Sequence, residues 1–535
     1  MTSRPLLTAW ATRTKFYCQW VNKNKEDSRL GHRRPGDRVV RVHRGRAYHL
    51  RRVLGIPSLY SVGYGNVGSS IYYALGLVAL WALGATPVAL GVAGIFFIFT
   101  ALTYAEGTAM FPEAGGSASF ARHAFNDLFG FLAGWSLIFG YIVTIAISAF
   151  AIPPYLGYFW PPFKESLLLG PAAAMGIVFF LVLVNIVGIK ESSFLNVALS
   201  LLDVLTQIAI VVVGFVLLFD WPLLKGRILD FWPSPSKLVF GIAIATIAFT
   251  GIESVSQMAE ETRRPERRVP AALILMVVTV LVLFAGISLV GLSVMTPDQL
   301  AGEWSRDPVA GIADGLREAI RSEEIALSVA REPAQVIIIH WLLEVFRNLL
   351  PPLVALLAAT ILLVATNAGL LGISRVAFSL GQHRQLPPIF SRIHHSFKTP
   401  YISILVFGLV ALLILAQGMR QTDLFEKMGG LYAFGSMLSF ALAHASIIAL
   451  RVRHPRHHRP FRLWPNLKIG GRELPLTALL GLLGTVGVWI VIVIMQPYSR
   501  WVGTLWILGG LVLYSLYRWG ARLSLTKAPP PLEER

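Results

Sequence analysis

Apolar runs too long for a soluble core recur through this chain, GIVFFLVLVNIVGI, VALSLLDVLTQIAIVVVGFVLLF, ALILMVVTVLVLFAGISLVGL and YISILVFGLVALLILAQ among them. A helix rising 1.5 Å per residue crosses the hydrocarbon of a bilayer in about 20 residues, and only structures that pair every backbone group internally can do so. We count twelve candidate spans, at 57–82, 86–107, 129–154, 169–188, 195–219, 237–258, 270–294, 349–374, 400–417, 428–450, 474–495 and 501–519. A soluble alternative lacks polar surface, because 14% of the residues are charged against roughly one quarter in an ordinary soluble domain. The expected fold class is an all-α integral membrane protein of about twelve transmembrane helices.

The net charge of +18 would suggest a nucleic-acid partner in a soluble protein. Here the basic residues sort by side instead. With the amino terminus cytoplasmic, 35 of the 47 Lys and Arg residues fall on the cytoplasmic side of the spans or, for Arg518, at the cytoplasmic end of the last one. By the positive-inside rule that asymmetry puts both termini in the cytoplasm, in a plasma membrane of the bacterial inner-membrane type, with membrane lipid and no nucleic acid as partners. The expected layout is a basic tail 1–52, a ten-span core 53–450, a basic loop 451–473, two further spans in 474–519 and a cytoplasmic tail 520–535. The stretch RLGHRRPGDRVVRVHRGRAYHLRR at 29–52 reads as a solvated tail or a partner of anionic headgroups. No apolar segment precedes it, so the first span is expected to direct insertion. Cys18 stands alone, which leaves no disulfide framework and no cysteine-based metal site. The histidines of RHPRHHRPF (453–461) are interleaved with Pro and Arg, and no metal or cofactor is expected. The segment 295–348, extracellular in this orientation, reads as a connector whose middle, 309–330, forms an amphipathic surface helix.

Inside the first span stands GYGNVGSS, residues 63–70. Its first six letters match G-x-G-x-x-G, but a dinucleotide fold needs a preceding strand, a following helix and an acid about 20 residues on. None is present. The octapeptide instead predicts a break in a membrane helix, tolerated only where protein or a water-filled cavity surrounds the freed backbone. A second break is expected in the sixth span, where AIATIAFTGIESVSQMAEE interrupts its apolar run with Thr250, Gly251, Glu253, Ser254 and Ser256. Paired interruptions at matching positions of two halves point to a midplane site in an inverted-repeat transporter. Half-helix amino termini suit a carboxylate, and unwound carbonyls suit an ammonium or metal cation. Gly68, Ser69 and Ser70 are therefore the expected carboxylate binders. Carbonyls from Gly63 through Gly65 to Asn66, and at Phe249, are the expected ammonium acceptors, with Phe249 also an aromatic wall, and Thr250, Gly251 and Glu253 complete the candidate site. Close helix packing is the competing role for these glycines.

At this point the sequence resembles the amino acid–polyamine–organocation superfamily of permeases. GSSIYYALG is similar to the small-residue motif of that family's first span, FPEAGGSASFARHAF to the loop after its second, and FTGIESVSQMAEETRRPERRVP to its sixth span and exit. GISRVAFSLGQHRQLPPIFSRIHHSFKTP and RPFRLWPNL follow in family order. The resemblance implies a LeuT-type five-plus-five inverted repeat, spans 1–5 (about 57–219) and 6–10 (about 237–450), with helices 1 and 6 broken and two added C-terminal helices. It implies alternating access with amino acids as substrates and protons, or another cation, as the coupling ion, and no enzymatic activity.

One departure concerns span five. Some proton-coupled members carry a lysine there, whereas FLNVALSLLDVLTQIAIVV carries Asp203. It lies about eight residues, roughly 12 Å, into its span, where a carboxylate must be protonated, paired or hydrated, and it is the expected coupling-ion residue. Glu106 is expected to be structural, pairing with Arg122 or another base. Asn367 and Ser374 are candidate cation ligands weighed against helix packing, and Tyr141 is a candidate wall. A second transport reading is a potassium importer of the KUP-related type, which Ser69-Ser70 with Tyr73 and Thr250-Gly251-Ile252-Glu253 would fit, although Asn66 stands where that reading prefers an acid. A sensor or membrane enzyme on the same fold is the remote alternative.

Overall fold

The computed structural model describes residues 54–188, 193–320, 333–421, 423–469 and 472–527. The basic tail 1–52 and the chain's last eight residues lie outside them. Each of the twelve expected stretches is helical. Helices α1 (Ile56–Val67) and α2 (Ile71–Ala82) are joined by a 3₁₀ turn, Gly68–Ser70, and a second turn leads into α3 (Thr86–Met110). The short α4 (Ser117–Ala124) precedes α5 (Asp127–Leu156), α6 (Leu169–Val187) and α7 (Ser193–Leu218). The sixth stretch is divided into α8 (Pro235–Ala245) and α9 (Glu253–Gln257), followed by α10 (Pro265–Val294) and α11 (Pro308–Ala319). Then come α12 (Pro333–Gln382), α13 (Tyr401–Gln417), α14 (Leu424–Arg453), α15 (Leu476–Met495) and α16 (Pro497–Gly520).

Nine helices among the described residues are long and apolar enough to cross a membrane, one of them the continuous run Ile56–Met110 that holds the first two expected spans; Tyr401–Gln417 is a shorter apolar helix. The protein is a multi-pass membrane protein. Helix α5 lies at its centre, with its apolar stretch wholly buried against α12 and α14. Small residues make that approach possible: a Cβ on Gly435 would sit 3.0 Å from the Gly140 backbone nitrogen, a close crossing of the kind glycine permits in lipid. Helices α7 and α15 bury far less of their apolar stretches, as expected of helices whose outer faces meet acyl chains.

Two expectations are corrected. Residues 466–469 and 472–475 pair as two antiparallel strands, β1 (Asn466–Ile469) and β2 (Arg472–Pro475), with Leu467 opposite Leu474, so the chain is not all-α. The eighth stretch begins at Pro333, sixteen residues before the expected 349, and runs 50 residues, about 75 Å at 1.5 Å per residue. The 295–348 segment is accordingly part connector and part helix. Its described portion packs tightly, with Val309, Ile312, Ala313 and Leu316 of α11 buried, while 321–332 lie outside the described residues. The Ser305 backbone rests directly on Gly76 of α2, and Lys164 pairs with buried Asp307 at 2.9 Å while lying over the Trp304 ring.

Candidate functional site

The second interruption is a full break. After α8 the chain forms a 3₁₀ turn, Thr246–Phe249, and then leaves helical geometry. Thr250 is extended, with φ −80° and ψ 156°, and Gly251 has φ +111°, a conformation open to glycine because it lacks a Cβ. Asn66 of α1 spans the gap. Its Nδ2 donates to Ser254 Oγ at 3.1 Å and to the Gly251 carbonyl at 3.4 Å, and the Ser254 hydroxyl donates to the same carbonyl. A Cβ on Gly251 would stand 2.9 Å from the Asn66 amide. Glu253 folds back so that its Oε2 accepts the Gly251 N–H at 3.1 Å, and Thr250 Oγ1 donates to the Ile247 carbonyl at 2.8 Å.

The first interruption is milder than the sequence implied. At GYGNVGSS the helix tightens into 3₁₀ geometry without opening, and Gly68 keeps right-handed helical dihedrals with its N–H bonded to Tyr64 O. Ser69 and Ser70 turn their hydroxyls onto the Asn66 carbonyl, at 3.1 and 3.4 Å, so that acceptor already has partners. The glycines serve packing. A Cβ on Gly63 would meet Val255 at 2.5 Å and Met276 at 2.8 Å, one on Gly65 would meet Val364 at 3.2 Å, and one on Gly68 would meet the Tyr64 ring at 2.6 Å. Phe249 stacks on Phe97 with centroids 5.2 Å apart and leans on Phe284 at 5.4 Å.

Bare Gly68 lets the Tyr64 ring lie across the helix, and this ring leads to Asp203. Asp203 of α7 is fully buried and accepts three hydrogen bonds: Tyr72 Oη to Oδ1 at 2.5 Å, Tyr64 Oη to Oδ2 at 2.9 Å, and Gln207 Nε2 to Oδ2 at 2.8 Å. Tyr64 and Tyr72 stand on opposite sides of the Gly68–Ser70 turn, so one carboxylate ties both halves of the interrupted helix to α7. Tyr155 of α5 adds a bond to the Tyr72 carbonyl at 2.6 Å. These partners belong to a cluster separate from the one around Asn66 and Glu253.

Around the α9 break lie buried polar atoms with no partner among the described residues: Asn66 Oδ1, both amide atoms of Gln257, and the hydroxyls of Tyr104, Tyr141, Tyr432 and Ser148. An unpaired polar group buried from water costs about 1–3 kcal/mol, so their convergence marks a place for a polar ligand or water. A cavity of about 90 Å³, lined by Ser61, Asn196, Ser254, Gln257, Gly372 and Arg375 among others, opens beside this cluster. At its edge Arg375 pairs with Glu261 at 2.9 Å.

The structure brings Asn66, Gly251 and Glu253, which the sequence grouped, to one place beside Thr250, and adds Gln257, Tyr104 and Tyr432, which the sequence did not single out, to the candidate cluster that Tyr141 joins. Gln257 was findable, lying four residues after Glu253 on the same helical face; single tyrosines inside apolar spans carry no such signal. Asn367 accepts from Asn185 Nδ2 at 2.5 Å and Ser374 donates to the Leu371 carbonyl at 2.8 Å, which is helix packing. Among the described residues no group of three His, Cys, Asp or Glu is placed to hold a metal ion.

Buried ion pairs hold the helices around the site. Glu106 pairs with Arg451, not Arg122, through two bonds of 2.7 and 2.6 Å, and also accepts the Leu463 N–H at 2.7 Å. Arg122 pairs with Glu113 at 2.8 Å in the connection between α3 and α4. Burial there works to raise the Glu113 carboxyl, yet the His123 hydrogen bond, the Arg122 guanidinium and the Ser119 hydroxyl outweigh it and hold the group well below the usual carboxylate range.

Comparison with known proteins gives this geometry its context. The family model described as amino acid permease matches residues 54–516. The branched-chain amino acid permease BcaP of Bacillus subtilis is 27% identical over 88% of this chain and 93% of its own length. The methylthioribose transporter of the same organism is 26% identical over 88% and 94%, and the low-affinity putrescine importer PlaP of Escherichia coli is 25% identical over 75% and 81%.

Proposed function

This chain belongs to the amino acid permease family, and from that premise we propose that it carries amino acids across the plasma membrane by alternating access, coupled to protons. It is a transporter and not an enzyme. The observation that carries the substrate site is the break at Thr250–Gly251. Backbone leaves helical geometry there, beside the Glu253 carboxylate, the Gln257 amide and three tyrosines whose hydroxyls have no partner among the described residues. A zwitterion suits such a place, its ammonium group facing Glu253 and the carbonyls of the break, and its carboxylate facing hydroxyl and amide donors. In this reading Asn66, Gly251, Glu253 and Gln257 form the pocket and Phe249 closes one side of it.

The coupling proton belongs on Asp203. A carboxylate at membrane depth that ties both halves of the first helix changes its acceptor capacity when protonated, which alters the tie between α7 and the helix that borders the substrate. The halves 57–219 and 237–450 would be the two inverted repeats, α15 and α16 the added helices, and both termini cytoplasmic. BcaP is described as acting on branched-chain amino acids and PlaP on putrescine, and Glu253, which has no ion-pair partner among the described residues, is compatible with an amine on either.

The deciding experiment is uptake into reconstituted liposomes of a labelled amino acid panel and of rubidium, each with and without an imposed pH gradient. Saturable amino acid uptake that accumulates only with the gradient is expected. Saturable rubidium uptake without amino acid uptake would replace this reading with the potassium importer.

A further inference from the structure

Helix α12 starts well before its bilayer-length stretch, and this early part exposes large apolar side chains: Ile337 is 70% and Trp341 62% accessible, and Ile338, Leu342 and Leu349 are exposed too. The outer face of α7 matches it, with Leu201, Leu202, Leu205, Ile208 and Val212 exposed. Between the two helices lies a cavity of about 220 Å³, lined by Leu205, Thr206 and Ala209 of α7 and by Phe346, Leu349 and Leu353 of α12. Residues 346, 349, 350 and 353 recur at helical spacing, so α12 gives the cavity one continuous apolar wall. The lining has a single polar side chain, and the Thr206 hydroxyl is bonded to the Leu202 carbonyl at 2.9 Å. The occupant must therefore be apolar within the groove.

A charged feature stands at one end. Arg347 adjoins Phe346 and sits six residues, about 9 Å, from Leu353 along the helix. Its Nη1 donates to Glu344 Oε1 at 2.9 Å, and its Nε is buried with no partner among the described residues. The next turn holds Pro351 and Pro352, whose missing N–H groups remove the usual donors to the carbonyls of Arg347 and Asn348. The Arg347 side chain is 39% exposed, so the outer end of its guanidinium, next along the helix to the groove, and the apolar groove itself match the two parts of one ligand.

We propose that this groove is a binding site for a membrane phospholipid, with an acyl chain in the cavity between α7 and α12 and the headgroup phosphate on Arg347. The guanidinium forms short, charge-assisted bonds with phosphate oxygens, and long basic side chains near helix ends reach toward the headgroup layer. Acyl burial supplies the apolar part of the affinity in proportion to the methylenes covered. A free phosphate would satisfy Arg347 alone and leave the groove unfilled, so the ligand is a lipid.

The test uses the full chain in mild detergent, titrated with palmitoyl-oleoyl phosphatidylglycerol or with glycerophosphate and followed by native mass spectrometry. One phosphatidylglycerol retained, and no glycerophosphate, is expected. Arg347→Gln removes the guanidinium at a surface position, and Ala209→Trp fills the groove; each is expected to weaken retention about tenfold. Leu201→Trp, an equally large change on the same helix but outside the groove, serves as the control and is expected to retain lipid like the unmodified chain. Equal retention by the unmodified chain, Arg347→Gln and Ala209→Trp would overturn the proposal. So would equal losses in Ala209→Trp and Leu201→Trp when Arg347→Gln has no effect, or binding of glycerophosphate as strong as that of the lipid.

Discussion

Replacing Asp203 with asparagine keeps the shape of the side chain and removes both its charge and one acceptor oxygen. In the native protein Oδ1 takes the Tyr72 hydroxyl at 2.5 Å, and Oδ2 takes Tyr64 and Gln207 at 2.9 and 2.8 Å. The amide offers one oxygen and a donor NH₂, so at least one hydroxyl faces a donor where it had an acceptor. A hydrogen bond to a charged group contributes about 1.5–3 kcal/mol. Losing one such bond and weakening the others to neutral strength removes about 3 kcal/mol of the tie between α7 and the two halves of the first helix. Asn cannot titrate, so the tie stays in its neutral form at every pH. In liposomes, Asp203→Asn is expected to abolish accumulation driven by an inward proton gradient while exchange of labelled for unlabelled substrate continues, because exchange needs the conformational cycle and no net proton movement. Tyr64→Phe and Tyr72→Phe each remove one donor, leave the carboxylate, and are expected to shift the pH dependence of uptake without abolishing coupling. Accumulation by Asp203→Asn equal to that of the unmodified protein, with equal protein in the membrane, would reduce Asp203 to a packing residue.

Further expectations come from other parts of the structure. Gly251→Ala puts a Cβ 2.9 Å from the Asn66 amide at φ +111° and is expected to cost about 1–3 kcal/mol and to eliminate uptake, as measured with surface-labelled protein of known amount; normal transport would show that the break can relax. Gln257→Leu removes two unpartnered polar atoms and is expected to raise KM for the best substrate several-fold with the melting temperature unchanged or higher, whereas an unchanged KM would remove Gln257 from the site. Glu106→Gln leaves Arg451 and Arg459 without their carboxylate and is expected to destabilise by about 3–5 kcal/mol, read as a lower melting temperature in detergent; a melting temperature within error of the unmodified protein would refute the anchoring role. Because the Glu113 carboxyl is held below its unfolded value, its ion pairs contribute stability that is present above the usual carboxylate range, near pH 4, and is lost as the pH falls through the folded value. Melting in detergent from pH 7 down to pH 3 should therefore show a shallower acid decline for Glu113→Gln, and parallel curves would argue against it.

The sequence by itself determined the membrane class, the twelve helical stretches and the place of the second break. These follow from local physics. An apolar run of about 20 residues has one stable environment, and Gly251 inside such a run admits the positive φ that residues with a Cβ rarely adopt. The candidate site was legible to the same extent: Asn66, Gly251 and Glu253 stand where the interruptions put them. What Gly63, Gly65 and Gly68 do was not legible, because a glycine that opens a helix and one that admits a neighbour have the same letter. Only the packing of Val255, Met276, Val364 and Tyr64 against them decided for close approach. The partners of charged groups were likewise tertiary. Glu106 meets Arg451, 345 residues away, and Asp203 meets tyrosines 139 and 131 residues before it. Partner choice in a low-dielectric interior depends on which helices adjoin, and no spacing within one helix records that. The early start of α12 was hidden for a related reason. Residues 333–348 mix Glu344, Arg347 and His340 with apolar side chains, so hydropathy alone could not join them to the span, and it took the continuous helix to carry Phe346 and Leu349 to the groove shared with α7.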